Sequence, residues 1–314
     1  MNVGIPLLRD SISKEGLQEL RRRIGTDVVE CQRLAGRGRF LVLRLSCIGP
    51  AEYVRAIQEE EMLKTKVMRG DKGVFWLSFD EAWRNNPVFR GKLLGAADAC
   101  EAKWSLQQEF GYRLATNFMP MYACYVYRYF HGGSVLDPCA GWGDRLAGAL
   151  SSGCVSRYVG FDPNLNVYEG YRQILSDFGA TRISESPVVD EYSNGCRLYK
   201  RRFEDARRYL VELPPFDFAF TGPPFFEFEH YGEFMPVYQD WITEFYVPLF
   251  MTTHDHLRPE GYFVVYLNDT SAGKIERFML ETVPGITTFR FKGKIGLTGG
   301  SSGKLRDLYV FQRA

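Results

Sequence analysis

Strand-like and helix-like segments alternate from Ser134 to the C-terminal region, and this alternation is the strongest constraint on the fold. The strand-like segments SVLD, RYVGFD, RLYK, FDFAFT and GYFVVYLN are each followed by residues with helical spacing of apolar side chains. Strands that alternate with helices form largely parallel sheets covered on both faces. The final segments, TTFRF and DLYVFQ, predict a closing hairpin. We therefore predict an α/β fold with a Rossmann-like sheet, mostly parallel with an antiparallel last strand.

The residues before this alternation have a different, mixed pattern. Helices are predicted over 13–24 and 51–64, and strands over 40–48 and 73–79. A further helical stretch follows Trp104 and is interrupted near Pro120. We expect an N-terminal α+β region, residues 1–103, and a second domain, residues 104–314. The first part could form a separate lobe or an extension packed on the core.

Composition excludes some classes of protein and leaves others open. No apolar run reaches the roughly 18 residues that span a bilayer, so we expect no membrane partner. The seven cysteines show no paired spacing, which favours reduced thiols in an intracellular compartment, cytoplasm or nucleus, and no structural metal. Residues 1–100 carry 17 Lys+Arg and 13 Asp+Glu, and residues 286–314 carry 6 and 1. These basic ends slightly favour a polyanionic partner. The alternative is that the charges are simply distributed over solvent-exposed faces.

A glycine-rich turn follows the first strand of the alternating region. Asp137 ends that strand, and Gly141 and Gly143 frame the turn into a helix. Glycines allow a ligand to approach the backbone closely, and a helix N-terminus favours an anionic group. Asp162 ends the next strand, 19 residues after Gly143, a spacing that suits the hydroxyls of a ribose. The alternatives are a tight turn at the glycines and a helix cap at Asp162.

A second distinctive segment, TGPPFF at 221–226, follows the fourth strand. Its two prolines stiffen the turn and leave carbonyl groups free to accept a hydrogen bond from an amine. Phe225 and Phe226 offer faces on which a flat base can stack. The alternative is that both rings belong to the apolar core. Glu204 and Asp205, after the third strand, could accept from an adenine amine or act as helix N-terminal acids.

Taken together, these segments resemble the class I S-adenosylmethionine-dependent methyltransferases. Within that family they are similar to the enzymes with a Pro-Pro-Phe motif that methylate adenine N6 or cytosine N4 of nucleic acids. The resemblance covers roughly residue 115 to the C-terminus and follows the family order. That order is N-F-M-P at 117–120, D-P-C-A-G-W-G at 137–143, F-D-P-N at 161–164 and G-P-P-F at 222–225.

The resemblance implies a methyltransferase sheet, S-adenosylmethionine as cofactor, and RNA or DNA as substrate. It implies that Asn117 and Pro120 border the methionine moiety. The implied cofactor-binding residues at the turn are Asp137, Ala140, Gly141 and Gly143, with Asp162 on the ribose and Asp205 on the adenine amine. The implied catalytic segment is Thr221, Gly222, Pro223, Pro224 and Phe225, where the Pro223 carbonyl accepts from the target amine and Phe225 stacks on the base.

Gly222 departs from the family, which has Asp, Asn or Ser before Pro-Pro. Thr221, Glu227 or Asp269 could supply the missing acceptor. The target nitrogen could instead need one acceptor, as a ring nitrogen or a once-methylated amine would. The third alternative is a non-catalytic homologue that binds nucleic acid as a partner subunit.

The predicted links between core strands are short, and the largest is the segment 181–196. Residues 1–103 would then select the substrate, together with Phe226 and a basic loop containing Lys304 and Arg306, which could clamp a phosphate or form a solvated hairpin tip. This favours RNA over DNA, and the family resemblance implies adenine N6 as the target. A protein or small-molecule substrate is a further alternative.

Overall fold

The computed structural model describes residues 5–26, 29–32, 38–45, 47–68, 76–110, 115–226, 229–230, 237–267, 269, 274–298 and 305–314. Within these residues, one large sheet organises the molecule. In spatial order its strands are β1 (Val29–Gln32), β2 (Arg39–Leu45), β13 (Phe289–Thr298), β14 (Arg306–Arg313), β12 (Leu257–Leu267), β10 (Phe216–Thr221), β5 (Ser134–Asp137), β6 (Arg157–Phe161), β9 (Cys196–Tyr199), β8 (Val189–Tyr192) and β7 (Arg182–Glu185).

The centre of this sheet is parallel. β12, β10, β5, β6 and β9 are parallel neighbours, and β14 runs antiparallel to both β12 and β13. Strands buried on both faces lack a strict polar alternation, and β10 is correspondingly apolar, with Phe216, Phe218 and Phe220 all essentially unexposed. The predicted α/β fold, with a parallel sheet centre and an antiparallel last strand, is confirmed.

Helices cover both faces of the sheet. Their bounds are α1 (Leu8–Ser11), α2 (Lys14–Ile24), α3 (Glu52–Lys64), α4 (Phe79–Asn85), α5 (Pro87–Leu94), α6 (Ala99–Phe110), α7 (Pro120–Phe130), α8 (Asp144–Ser152), α9 (Tyr168–Asp177), α10 (Arg207–Leu210), α11 (Tyr238–Asp240), α12 (Val247–His256), α13 (Ile275–Glu281) and α14 (Val283–Ile286). A π-helical segment, Trp241–Tyr246, joins α11 to α12. None of the helices in the described part of the chain combines the length and apolarity needed to cross a lipid bilayer.

Two clusters of buried side chains fill the layers on either side of the sheet. One includes Tyr127 of α7 and Leu146 of α8, and the other includes Phe250 of α12 and Phe263 of β12. The face covered by α7 and α8 also receives α3 from the N-terminal region, through Tyr53 and Val54. The helices after β5 and β6 are therefore held between the sheet and the N-terminal region.

The N-terminal region contributes strands to the same sheet. β2 pairs in parallel with β13, and the Arg39 guanidinium lies 2.6 Å from the Asp307 carboxylate of β14. A small second sheet joins β3 (Lys66–Met68), β4 (Trp76–Leu77) and β11 (Glu229–His230). The division at residues 1–103 and 104–314 stays a prediction.

Two segments differ from their predicted structure. The strand predicted over 73–79 is described as two residues of strand followed by α4, because Ser78 and Glu81 form a capping box that starts a helix at Phe79; residues 73–75 lie outside the described part. The segment 181–196 forms the antiparallel pair β7 and β8, which extends the sheet beyond β9.

Candidate active site

The carboxyl ends of β5, β6 and β10 meet at one edge of the sheet. Asp137 at the end of β5 is level with Gly160 of β6, and β10 lies on the other side of β5 in the same direction. The glycine turn, Asp162 and the segment 221–226 therefore leave the sheet side by side. Ligands of open α/β sheets bind at this edge.

The glycine turn has the backbone geometry that its sequence predicts. Gly141 and Gly143 have φ angles of +60° and +94°, in the left-handed region that favours glycine. The Ala140 amide donates to the Phe161 carbonyl over 2.8 Å, which ties the turn to β6. A Cβ on Gly141 would make only ordinary van der Waals contacts, at 3.9 Å, and the residue is partly exposed.

Asp162 fixes the turn from the neighbouring strand. Its carboxylate accepts from the Gly141 amide at 2.8 Å and from the Asn164 amide at 2.9 Å. Burial raises the pKa of Asp162 to about 6, although these two amides lower it. A carboxylate has about four acceptor positions, so Asp162 retains capacity for donors such as ribose hydroxyls.

Asp137, by contrast, is enclosed by the protein. It is unexposed and accepts from Arg145 Nε at 2.8 Å, from the Tyr158 hydroxyl at 2.7 Å and from the Cys139 amide at 3.3 Å. A buried carboxylate needs such partners to offset its desolvation. Asp137 thus holds the Arg145 guanidinium at the base of the turn, a role that its position before the glycines did not predict.

Arg145 reaches the segment that follows β10. Its Nη1 atom lies 3.0 Å from the position that a Cβ on Gly222 would occupy, and Tyr266 Cδ1 lies 3.5 Å from that position. Its Nη2 atom donates to the Cys139 carbonyl. The guanidinium therefore lies beside the position at which the sequence resemblance implies a side-chain acceptor. Sequence reasoning missed Arg145, because no local pattern links it to Gly222.

Aromatic side chains surround the turn at Pro223. The partly exposed ring of Phe225 lies 5.7 Å from the ring of Tyr266, which lies 5.1 Å from Phe118. Phe226 is 5% exposed and packs edge-on against Tyr238 and Trp241. Phe225 is thus the more accessible of the two predicted stacking rings. Pro223 is buried, and the Pro224 carbonyl accepts from the Tyr246 hydroxyl at 3.4 Å.

Asn117 links the N-terminal region to the glycine turn. Its amide donates to the Asp144 carboxylate at 2.8 Å and to the Ala51 carbonyl at 3.3 Å. Burial raises the pKa of Asp144 to about 7, and the hydrogen bond from Asn117 opposes that shift. Pro120 starts α7 as its first residue, a position that suits proline because the first amides of a helix lack partners. Sequence reasoning did not identify Asp144.

The remaining predicted residues lie further from the turn or outside the described part. Asp205 is exposed and lies 3.5 Å from Arg208. The neighbouring Glu204 carboxylate is one of the charges that raise the pKa of Cys139 within the turn, after burial, Asp137 and Asp162. Arg306 Nη1 donates to the Tyr266 hydroxyl at 3.0 Å, beside the aromatic rings. Lys304 and Glu227 lie outside the described residues.

These residues fit the cofactor that the sequence resemblance implies. Gly141 is partly exposed, Asp162 has acceptor positions beyond those used by the two amides, and the N-terminus of α8 follows the turn directly. S-adenosylmethionine has ribose hydroxyls that can donate to the Asp162 carboxylate. It also has a carboxylate that suits the amides at the N-terminus of α8.

In the comparisons with known proteins, similarity was found only to solved structures. No family model matches the chain, and no curated protein matches it. The chain is similar to TrmN from Thermus thermophilus, with 13% identity and a TM-score of 0.45 over 98% of this chain and 80% of that one. It is also similar to an rRNA methylase from Streptococcus thermophilus, with 16% identity and a TM-score of 0.42 over 63% of this chain and 99% of that one.

A third similar structure is that of RsmC from T. thermophilus, a 16S rRNA methyltransferase solved with AdoMet and guanosine. It shares 16% identity at a TM-score of 0.39, over 64% of this chain and 44% of that one. At these identities and TM-scores, the similarity does not extend to a substrate.

Proposed function

We propose that this chain is an enzyme that transfers a methyl group from S-adenosylmethionine to a base nitrogen of RNA. One observation carries the proposal: a single sheet edge brings together the glycine turn, the Asp162 carboxylate and the Pro-Pro-Phe segment. The first two suit a nucleoside cofactor, and the third suits a flat base with a nitrogen to be methylated.

The cofactor would be held by the glycine turn and by acids on two neighbouring strands. Gly141 would allow close approach, and Asp162 would accept from the ribose hydroxyls. Glu204, whose charge acts on Cys139 of the turn, is better placed than Asp205, which lies beside Arg208, to meet the adenine amine. When bound, the cofactor supplies an electrophilic methyl group on a sulfonium.

The chain's own contribution is to position the target nitrogen. The Pro223 carbonyl would accept a hydrogen bond from it, while the face of Phe225 stacks on the base. Phe118 and Tyr266 support that ring. Methyl transfer is an in-line displacement, so positioning and electrostatics suffice and no covalent enzyme intermediate is required.

The target nitrogen has two candidates. Adenine N6 is the first candidate, and the Pro-Pro-Phe segment suggests it. A ring nitrogen is the second candidate, favoured by Gly222, which provides no second acceptor. RNA is preferred over DNA because the links between core strands are short, so recognition would fall to residues 1–103 and to Arg306 and Lys304.

The proposal is tested by incubating the purified protein with labelled S-adenosylmethionine and total RNA or DNA, followed by mass spectrometry of the nucleosides. We expect a methylated nucleoside from RNA. Phe225→Ala should slow transfer about ten- to a hundredfold, because stacking on an aromatic ring contributes roughly 1–3 kcal/mol. Cofactor affinity should not change.

Phe291→Ala provides the matched control, because Phe291 lies on β13 with 36% of its surface exposed and should leave transfer intact. Absence of S-adenosylmethionine binding in calorimetry would contradict the proposal and favour a nucleic-acid-binding partner subunit. Cofactor binding without RNA affinity, or with affinity that salt does not weaken, would favour a protein or small-molecule substrate.

A further inference from the structure

The π-helical segment lies against the Pro-Pro-Phe segment that follows β10. Its Tyr246 hydroxyl donates to the Pro224 carbonyl at 3.4 Å, and its Trp241 ring packs edge-on against Phe226 with 5.7 Å between the ring centroids. Pro223 and Pro224 have no amide hydrogens, so at these two positions the chain can be held only through carbonyls and ring packing. The π-helical segment supplies a contact of each kind.

A proline accounts for the wider helix at this point. In a regular α-helix the ring of Pro248 would clash with the Glu244 carbonyl, and that carbonyl would lose its amide donor. The turn before Pro248 is π-helical instead, and the Val247 amide donates to the Ile242 carbonyl, five residues earlier. Such turns occur frequently at functional sites, so the side chains that this one carries are of interest.

The wider turn brings two aromatic side chains to the same side of the helix. Residues five apart are neighbours in a π-helix, whereas in an α-helix they would point in directions about 140° apart. The rings of Trp241 and Tyr246 accordingly lie 6.4 Å from each other, and both contact the Pro-Pro-Phe segment. A regular α-helical turn would direct one of the two side chains away from that segment.

Tyr246 is closely packed and keeps its proton. Its side chain is unexposed and lies edge-on to the rings of Phe245 and Phe278, at centroid distances of 5.0 and 6.2 Å. Burial raises the pKa of Tyr246, so its hydroxyl stays protonated at physiological pH and remains a hydrogen-bond donor. The Pro224 carbonyl therefore faces a donor whose position is fixed by its surroundings.

We propose that Tyr246 is a positioning residue for methyl transfer, and that it fixes the face that Phe225 presents to the target base. The Pro224 carbonyl belongs to the planar peptide group that ends at the Phe225 Cα. Holding its oxygen holds the peptide plane, and with it the direction in which the partly exposed Phe225 ring leaves the chain. Tyr246 itself is buried and acts through Phe225. This inference rests on the proposed function and adds a residue to it.

The steady-state kinetics of Tyr246→Phe provide the first test, because this variant keeps the ring and loses only the hydroxyl. We expect kcat for RNA methylation to fall about three- to tenfold, as for the loss of one hydrogen bond. The KM for RNA and the affinity for S-adenosylmethionine should change by less than about twofold, since phosphate contacts position the RNA and a misplaced base lowers mainly the rate. An unchanged kcat, or a change in KM alone, overturns the inference.

Tyr53→Phe is the matched control for stability. Tyr53 of α3 is equally buried, and its hydroxyl donates to the Asp177 carboxylate of α9 at 2.8 Å. Both substitutions leave an acceptor without its donor and should lower the midpoint of thermal denaturation, but Tyr53→Phe should retain the wild-type kcat. An equal fall in kcat in the two variants would show that a general loss of stability slows transfer, and the inference would then be wrong.

A double-substitution cycle tests whether Tyr246 acts through Phe225. In the background of Phe225→Ala, which removes the ring, Tyr246→Phe should change kcat by less than about twofold. Equal losses with and without the ring would mean that Tyr246 acts by another route, which overturns this inference and leaves the proposed function standing. Absence of RNA methylation by the wild type contradicts the proposed function itself, and this inference with it.

Discussion

Gly143 meets two local constraints at once. Its φ of +94° lies in the left-handed region, and a Cβ would lie 2.9 Å from Ile174 Cδ1 of α9. We expect Gly143→Ala to lower the free energy of unfolding by about 2–4 kcal/mol, since backbone strain and overpacking each contribute roughly 1–3 kcal/mol. Urea denaturation measures this change, and calorimetry with S-adenosylmethionine measures the accompanying loss of affinity.

Gly153→Ala separates the effect of backbone strain from the effect of a steric clash at Cβ. Gly153 has a φ of +72°, but a Cβ there would meet nothing within 4 Å. Its destabilisation should therefore be about half that of Gly143→Ala or less, with cofactor affinity unchanged. Equal losses in the two variants would show that the contact with α9 does not constrain the turn.

The raised pKa of Asp144 predicts that the free energy of unfolding depends on pH. Burial raises its pKa from 3.8 to about 7, so between these values the native state holds a proton that the unfolded state has released. The free energy of unfolding should then fall as the pH rises from about 4 to about 7, by up to ~4 kcal/mol, and level off above. Asp144→Asn keeps an acceptor for Asn117 and should reduce this slope in urea titrations, leaving the part that Asp162, with its pKa of about 6, contributes below that pH. An unchanged slope in that variant would assign it to other groups.

The geometry of the glycine turn could be predicted from sequence because its signal is local. Gly141, Gly143 and Asp162 are marked by their spacing and by the strands that precede them. Arg145 and Asp144 could not be predicted in the same way, because the environment of each depends on a distant residue. Arg145 lies beside Gly222, 77 positions later in the chain, and Asp144 accepts a hydrogen bond from Asn117, 27 positions earlier. Phe225 and Phe226 are indistinguishable in sequence and differ in the structure by what packs on each.

At the scale of elements, the closest approach of two helices depends on Gly148 of α8. A Cβ on this residue would lie 2.6 Å from Ala123 Cβ and 2.7 Å from the Pro120 carbonyl oxygen, both on α7. Because backbone atoms cannot move aside cheaply, Gly148→Ala should lower the free energy of unfolding by about 1–3 kcal/mol, even though alanine favours helix.

Gly91→Ala, in α5, is the matched control for helix propensity. A Cβ on Gly91 would meet nothing within 4 Å, so this substitution should raise the free energy of unfolding by up to about 1 kcal/mol. Thermal denaturation of the two variants should therefore shift in opposite directions. A stabilised Gly148→Ala protein would mean that α7 and α8 separate more easily than their packing indicates.

The strands and helices of the central sheet could be predicted because each has its own apolar period and turn residues. The pair β7 and β8 could not be predicted in this way. β7 is exposed at all four residues, so it has no buried face to impose alternation on its sequence. The start of α4 depends on a capping box that interrupts an otherwise strand-like run, and this local signal was outweighed by the aromatic residues before it.

At the scale of the whole molecule, Gln58 connects α3 to the cofactor edge. Its amide donates to the Trp142 carbonyl in the glycine turn at 3.1 Å and to the Val167 carbonyl at 3.0 Å. Gln58→Ala would leave two buried carbonyls without these donors, so we expect a loss of about 1–3 kcal/mol in unfolding free energy. S-adenosylmethionine affinity should fall with it, which calorimetry measures.

Gln173→Ala is the corresponding control, because Gln173 bonds to the Asp177 carboxylate at an exposed site on α9. Its removal should leave both stability and affinity close to the wild type. If Gln58→Ala behaves in the same way, the N-terminal region supports the turn through packing rather than through these hydrogen bonds.

The parallel pairing of β2 with β13 has a consequence for synthesis on the ribosome. Leu41 and Val42 are opposite Ile295 and Gly296, about 250 residues later in the chain. Until the closing hairpin emerges, the nascent polypeptide carries an apolar strand with an unpaired edge, which is a hazard for aggregation. Chaperone dependence during translation should therefore persist until β13 has emerged from the ribosome.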